Sequence, residues 1–377
     1  MNITFEDVLG TLSPSDMMRV VNAPRPMGDY LFQNYLPNRM ATEYTVEAGS
    51  MTVRATMAGA VGMDSPYPPV GLVQASKFLE KALKIGAYSK LTEENLRKIQ
   101  NLINSQILSG NSSNVRGFLT GEVLNFLDKV IGQSMYDRLE WLRAQALVTG
   151  AISWTFNKIA WSVSYGVPTA NILTQRTSTA AWDSTASAFW TDIGLLYAAL
   201  RYNVEAFIVH PDTLLAIVGN SANNMEIIAQ ESFGAGGSRT TVRRLLGDNE
   251  RASRDFREQV TLIAYGDEAE IFDTSNPGQT TLVPFMPTKK ILAIGRPSRR
   301  GYVVGQGGTE DPDDALALGY THIGPTVEGN GAPGLWAQVY TPEHLPMQLH
   351  GRGAGNVIPV LENPDLVAVA SSEIGGS

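Results

Sequence analysis

Residues 114–149 read NVRGFLTGEVLNFLDKVIGQSMYDRLEWLRAQALVT, and this stretch decides the fold. Val115, Phe118, Leu119, Val123, Phe126, Leu127, Val130, Ile131, Met135, Leu139, Leu142 and Ala146 recur at steps of three and four residues, which is the helical period. At a rise of ~1.5 Å per residue the stretch would span about 54 Å, far beyond the mean helix of about 11–12 residues. No heptad pattern is sustained, so a coiled-coil seam is not indicated. The stretch reads as a spine laid across a flat molecule. The other reading is two ordinary helices broken near Gly132, with Gly121 a second point of bending.

Working toward the N-terminus, residues 92–109 carry a well-marked helix start. Thr92 stands as N-cap, Glu93 and Glu94 occupy the first turn where the dipole favours acids, and Leu91 and Leu96 have staple spacing. Residues 44–91 read as a long β-hairpin. Tyr44, Val46, Met51, Val53 and Ala55 alternate in the β manner, and residues 58–71 form a tip with three Gly and three Pro around Val61, Met63, Tyr67 and Val70. An isolated two-stranded ribbon is marginal, so the hairpin needs a partner surface, either a meander within its own domain or a neighbouring molecule. Residues 1–43 read as an extended arm. Pro24, Pro26 and Pro37 interrupt regular structure among the anchors Tyr30, Phe32 and Tyr35. Such an arm is held by its own domain or by a neighbour.

Toward the C-terminus, residues 151–190 hold Trp154, Trp161, Trp182 and Trp190 among Ser and Thr, and read as strands and loops. From 191 to about 330 helix and strand alternate: a helix over Thr191–Tyr202, a buried strand Val204–Val209, and a His210-Pro211-Asp212 turn into a helix over Thr213–Val218. Val260–Ala264 and Ala269–Asp273 read as a hairpin around Gly266-Asp267, and Lys290–Ile294 as another strand. Arg239, Arg243, Arg244, Arg251, Arg254 and Arg257, diluted by acids, read as a solvated helical face or a salt-bridging subunit surface. Two last strands are expected at Leu335–Tyr340 and Leu366–Ala370.

Composition narrows the function. The net charge is −8, charged residues make up 18%, and no cysteine is present. The charged share lies below the ~25% of an average domain, which favours surface buried in an assembly. The absent thiols exclude disulfides, thiol nucleophiles and zinc–thiolate sites. No basic stripe suited to wrapping nucleic acid is visible, no secretory leader is expected at Met1–Gly10, and no apolar run approaches the ~20 residues of a membrane span. Catalytic motifs are missing: four histidines lack HExxH spacing, and GxSxG does not occur. Gly305–Gly308 and Gly351–Gly355 read as loops rather than phosphate cradles. Glu310-Asp-Pro-Asp-Asp314 reads as a solvated acidic turn rather than a Ca²⁺ loop. No cofactor, metal or catalytic residue is assigned.

The order of these elements resembles the major capsid proteins of tailed phages with the Hong Kong 97 type shell fold, specifically the lambda-type capsid protein E family. The resemblance is clearest in Val204–Asp212, Ala264–Asp273, Ile291–Gly295 and Asn363–Ala370. It implies an α+β fold with an N-terminal arm (1–43), an extended E-loop (44–91), a peripheral domain with a spine helix (92–190, spine about 114–149), an axial domain (191–329) and a return to the peripheral domain (330–377). It further implies a non-enzymatic shell subunit that assembles into pentamers and hexamers of an icosahedral head around double-stranded DNA. The E-loop would lie across the adjacent subunit and the arm beneath its neighbours. The subunit-interface residues would then be Val61, Met63, Tyr67 and Val70 at the tip, with Tyr30, Phe32 and Tyr35 on the arm. Implied partners are the chain itself, a separate scaffolding protein and a portal, with room for a decoration protein. Packaged DNA would be met only by weak non-specific contact, and no membrane is involved. The location is the virion, after synthesis in a bacterial cytoplasm. Relatives that crosslink use a Lys and an Asn; Lys77, Lys81, Lys84, Asn356 and Asn363 are present, but nothing pairs them. The competing reading is an oligomeric α/β enzyme with a site in 191–330, and it lacks a convergent polar cluster.

Overall fold

The computed structural model describes residues 12–23, 25, 30–54, 72–108, 115–156, 159–233, 237–244, 259–272, 279–296, 301–303, 318–342 and 348–374. Helix α1 (Pro14–Val21) begins at Ser13, whose hydroxyl accepts from the Asp16 amide, and buries Met17 and Val21. Strand β1 (Asn38–Met40) follows. Strands β2 (Thr45–Arg54) and β3 (Leu72–Lys81) form an antiparallel ladder running from Thr45↔Lys81 to Arg54↔Leu72. Strand β4 (Leu83–Leu91) leads into α2 (Glu93–Leu108), whose Leu96 amide donates to the Thr92 carbonyl.

The decisive stretch is one continuous helical path. It consists of α3 (Val115–Phe126), a π-helical segment (Leu127–Gly132) and α4 (Gln133–Thr149). Gly132 keeps helical dihedrals (φ −62°, ψ −51°), so the chain widens there without breaking. Gly150, at φ +66°, ends the helix in the left-handed conformation that favours glycine. A hairpin of β5 (Ala151–Phe156) and β6 (Ile159–Ser164) completes this half.

Helix α5 (Phe189–Ala199), strand β7 (Val204–Val209) and helix α6 (Pro211–Gly219) then run as the sequence indicates. His210 caps α6, its Nδ1 accepting from the Asp212 amide. The chain continues through β8 (Met225–Phe233), β9 (Gly237–Arg244), β10 (Gln259–Tyr265), β11 (Glu268–Phe272), β12 (Thr280–Pro284), β13 (Lys290–Gly295) and β14 (Gly301–Val303). It closes with β15 (Gly319–Gly324), β16 (Trp336–Tyr340), β17 (Leu349–Leu361) and β18 (Val367–Ser371).

Two sheets carry the architecture. One runs β1-β15-β17-β16, with β4 along the opposite edge of β17. The other runs β18-β13-β7-β10-β9-β8. In the second, Phe207, Val209, Leu262 and Ala264 face a core shared with α5 and α6. The alternate residues Ala206, Ile208, Ile263 and Tyr265 face the core that holds the long helix. Burial on both faces explains why Ala206–Val209 and Ile291–Ile294 are continuous apolar runs with no alternation.

Four expectations are corrected. The segment Gly351–Gly355 is no loop: it lies inside β17, the longest strand of the fold among the described residues. The expected hairpin around Gly266-Asp267 does not form. Strand β10 pairs in parallel with β7 and antiparallel with β9, while β11 pairs with β12. The apolar Val260–Tyr265 requires burial on two faces, which the amphipathic β11 could not supply. Arg239, Arg243 and Arg244 stand on strand β9 instead of a helix, because Thr240 and Val242 are buried at alternate positions beside Thr241; Arg251, Arg254 and Arg257 lie outside the described residues. Finally, the axial boundary at 329/330 does not follow the sheets: β15 pairs with β17 in the first sheet, and β18 pairs with β13 in the second.

Candidate assembly surface

The arm anchors named by the sequence are spent inside the chain. Tyr30, Phe32 and Tyr35 are 6%, 0% and 7% exposed, so the expectation that they form a subunit interface is corrected. The Tyr30 hydroxyl donates to Asp137 Oδ1 at 2.8 Å, and the Phe32 ring meets Tyr265 edge-on at 5.3 Å. The physical reason is a buried ion pair on α4. Glu140 and Arg143, both 0% exposed, face each other at 2.9 Å one helical turn apart. The Glu140 carboxylate also accepts from the Phe32 amide at 2.6 Å and the Tyr265 hydroxyl at 3.1 Å. Arg143 donates to Thr321 Oγ1 and Asn38 Oδ1. Burial pushes the Glu140 carboxyl up, opposed by Arg143 and these donors. Burial likewise pushes the Tyr35 hydroxyl up to about 12. A buried charge without such partners costs several kcal/mol, so residues 30–40 are bound to α4, β10 and β15 by the need to satisfy it.

The tip residues Val61, Met63, Tyr67 and Val70 lie outside the described residues. What the structure describes is the stem. Its ladder of ten pairs extends about 30 Å at ~3.3 Å per residue. Strand β14 joins the far end of the stem, pairing Gly301 with Arg54 and Val303 with Thr52. A third strand answers the marginal stability of a bare ribbon.

The sheet around β17 has two unlike faces. On the inner face, glycines at alternate positions admit the helix: a Cβ on Gly351 would lie 2.6 Å from the Phe126 ring, and one on Gly353 would lie 2.6 Å from Ile131 Cγ2. The outer face is polar and exposed. Its register places Lys90, His350 and Tyr340 in one row and Tyr88, Arg352 and Gln338 in the next. The Arg352 guanidinium stacks over the Trp336 and Tyr340 rings at 5.2 and 5.0 Å and donates to Gln338 Oε1. Tyr88, 60% exposed, shares a hydrogen bond with His350 Nδ1 at 3.0 Å. None of these outer positions is acidic; Glu328, on the neighbouring turn, is paired with Lys84 and also feels the charge of Arg352. The sequence held a signal for this face, the strict alternation of glycine with His350 and Arg352, which a loop reading obscured.

Other exposed apolar residues include Ile227 and Ile228 on β8, the last strand of its sheet, and Leu215 on α6. Among the described residues no group of three or more His, Asp or Glu could hold a metal ion. No helix among them is long and apolar enough to cross a membrane.

No family model matches the chain, and no curated protein matches it. Solved structures do. A candidate capsid protein of a prophage of Escherichia coli CFT073 matches over 96% of this chain and 99% of its own, with a TM-score of 0.56 at 12% identity. A phage-related protein from Bordetella bronchiseptica RB50 matches over 96% of both chains with a TM-score of 0.48 at 11% identity. The procapsid of satellite phage P4, which includes the size determination protein, matches over 96% of this chain and 98% of its own, with a TM-score of 0.43 at 9% identity. The class is set by the first of these: the chain has the fold of a phage capsid protein. More particularly, it is the α+β fold of Hong Kong 97 type, with arm, long-stemmed loop, spine helix and second sheet in that order along the chain.

Proposed function

We propose that the chain is the major capsid protein of a tailed phage, a structural subunit that assembles into pentamers and hexamers of an icosahedral head enclosing double-stranded DNA. The observation that carries this is the match of fold to the CFT073 prophage protein over nearly the full length of both chains. The β2–β3 stem supports it, because a ladder of that length is suited to reach a neighbouring molecule. In this reading the tip residues Val61, Met63, Tyr67 and Val70 pack on the adjacent subunit. A separate scaffolding protein and a portal take part in assembly, and the mature location is the virion. The acidic balance of the chain, net −8, suits a wall that repels packaged DNA and leaves it mobile.

The test is negative-stain electron microscopy of the purified protein, alone and co-expressed with the neighbouring structural genes. Shells or hexameric capsomers are expected. A uniform small oligomer under both conditions overturns the reading and returns attention to an enzymatic site in residues 191–330.

A further inference from the structure

The outer face of β4, β17 and β16 is basic and aromatic in a chain whose net charge is −8. Lys90 and Arg352 are both exposed. Arg352 is held in place by two rings and by Gln338, so little side-chain freedom is lost when it meets a carboxylate, and a planar guanidinium suits that partner. Duplex DNA is the poorer fit. Affinity for a polyanion grows with the number of phosphates neutralised, and these two rows offer only Lys90, Arg352 and the half-buried His350.

The chain itself contains a complementary segment. Glu310-Asp-Pro-Asp-Asp314 places four acids in five residues, and the proline limits the freedom that docking would remove. We infer that the outer face of β4, β17 and β16 binds the acidic segment 310–314 of a second copy of this chain. The inference rests on the assembly proposed above and names one of its contacts.

Chain reach requires the second copy. Leu318 is fixed by its amide to the Tyr35 carbonyl, and its own carbonyl accepts from the Glu362 amide. Along β17, Arg352 stands ten residues from Glu362, about 30 Å at ~3.3 Å per residue. Asp314 is four residues from Leu318 and reaches at most about 14 Å fully extended. Pro312 reaches about 22 Å. Neither can lie beside Arg352 of its own chain.

The absence of cysteine makes the test clean. Pro312→Cys and Gln338→Cys are introduced together, leaving every charge in place, and the particles are oxidised. Covalent dimers and higher multimers on a denaturing gel are expected, since a disulfide needs Cα atoms within about 7 Å and chain length forbids the bond within one copy. Particles that form but stay uncrosslinked overturn this inference alone. If the unaltered protein forms no particles or capsomers, the proposed function fails and the inference falls with it. As a second arm, Lys90→Glu with Arg352→Glu is expected to lower particle yield at least about tenfold, the scale of losing a close charge pair. Adding Glu310→Lys, Asp311→Lys, Asp313→Lys and Asp314→Lys should restore it, and a failure to restore counts against the pairing. Normal yield with impaired DNA retention would assign the face to nucleic acid and overturn the inference.

Discussion

Gly353 sits where the long helix presses on β17, and a methyl group there would meet Ile131 Cγ2 at 2.6 Å and Met135 Cε at 2.8 Å. Overpacking of a tight core costs about 1–3 kcal/mol, so Gly353→Ala should lower the melting temperature. Gly121, on the exposed side of α3, has open space around its Cα; Gly121→Ala should raise the melting temperature, because alanine stabilises a helix by ~0.5–1 kcal/mol over glycine. Equal shifts of the same sign in a thermal melt would refute the close-approach role of Gly353. His322 is a second informative residue. It is buried, its Nε2 lies 2.9 Å from the Glu43 carbonyl, and burial holds its pKa below 6.5. A base whose folded pKa is lowered binds protons more tightly when unfolded. Its stability is therefore complete above pH 6.5 and is lost as pH falls from there toward the folded value. His322→Gln should flatten that part of the profile, and an unchanged acid slope would show that other groups control it. Neither effect is legible in sequence, because a lone glycine or histidine does not announce what packs against it.

Among the elements, the π-helical segment explains the meeting of helix and sheet. Phe126 and Ile131, five residues apart, both close on the position of Gly351. In a regular α-helix they would point about 140° apart, whereas a five-residue closure stacks them. The three- and four-residue period of 115–149 was readable in advance because it records which side is buried. The widened turn was not, because it answers the demands of the facing strand. Gly132→Pro should disrupt folding by about 3 kcal/mol or more, since proline removes an amide and its ring intrudes where a Cβ would already meet Arg25 at 2.7 Å. An unchanged melting temperature would mean that the helix is not continuous there. Strand β17 is the opposite case. Its glycines imitate a loop until α3, the π-helical segment and α4 are laid across them.

For the whole molecule, the proposed assembly assigns different tasks to the described stem and to residues 58–71. Deleting Ala58–Gly71 should leave a folded subunit, because the described residues on either side of this segment build two extensive cores. It should also abolish shells, read by circular dichroism and electron microscopy together. Normal particles from that deletion would refute the role assigned to Val61, Met63, Tyr67 and Val70. The sequence by itself determined the order and type of most elements, the long helix and the buried strand β7. These depend on local period and on apolar content, which a single chain displays. Only the tertiary structure decided that the arm belongs to the subunit's own core, that 351–355 is a strand, and that β15 and β18 cross the expected domain boundary. Those outcomes depend on partners distant in sequence: a buried Glu140 seeking donors, a helix needing glycines beneath it, and strands choosing the neighbours that cover both their faces.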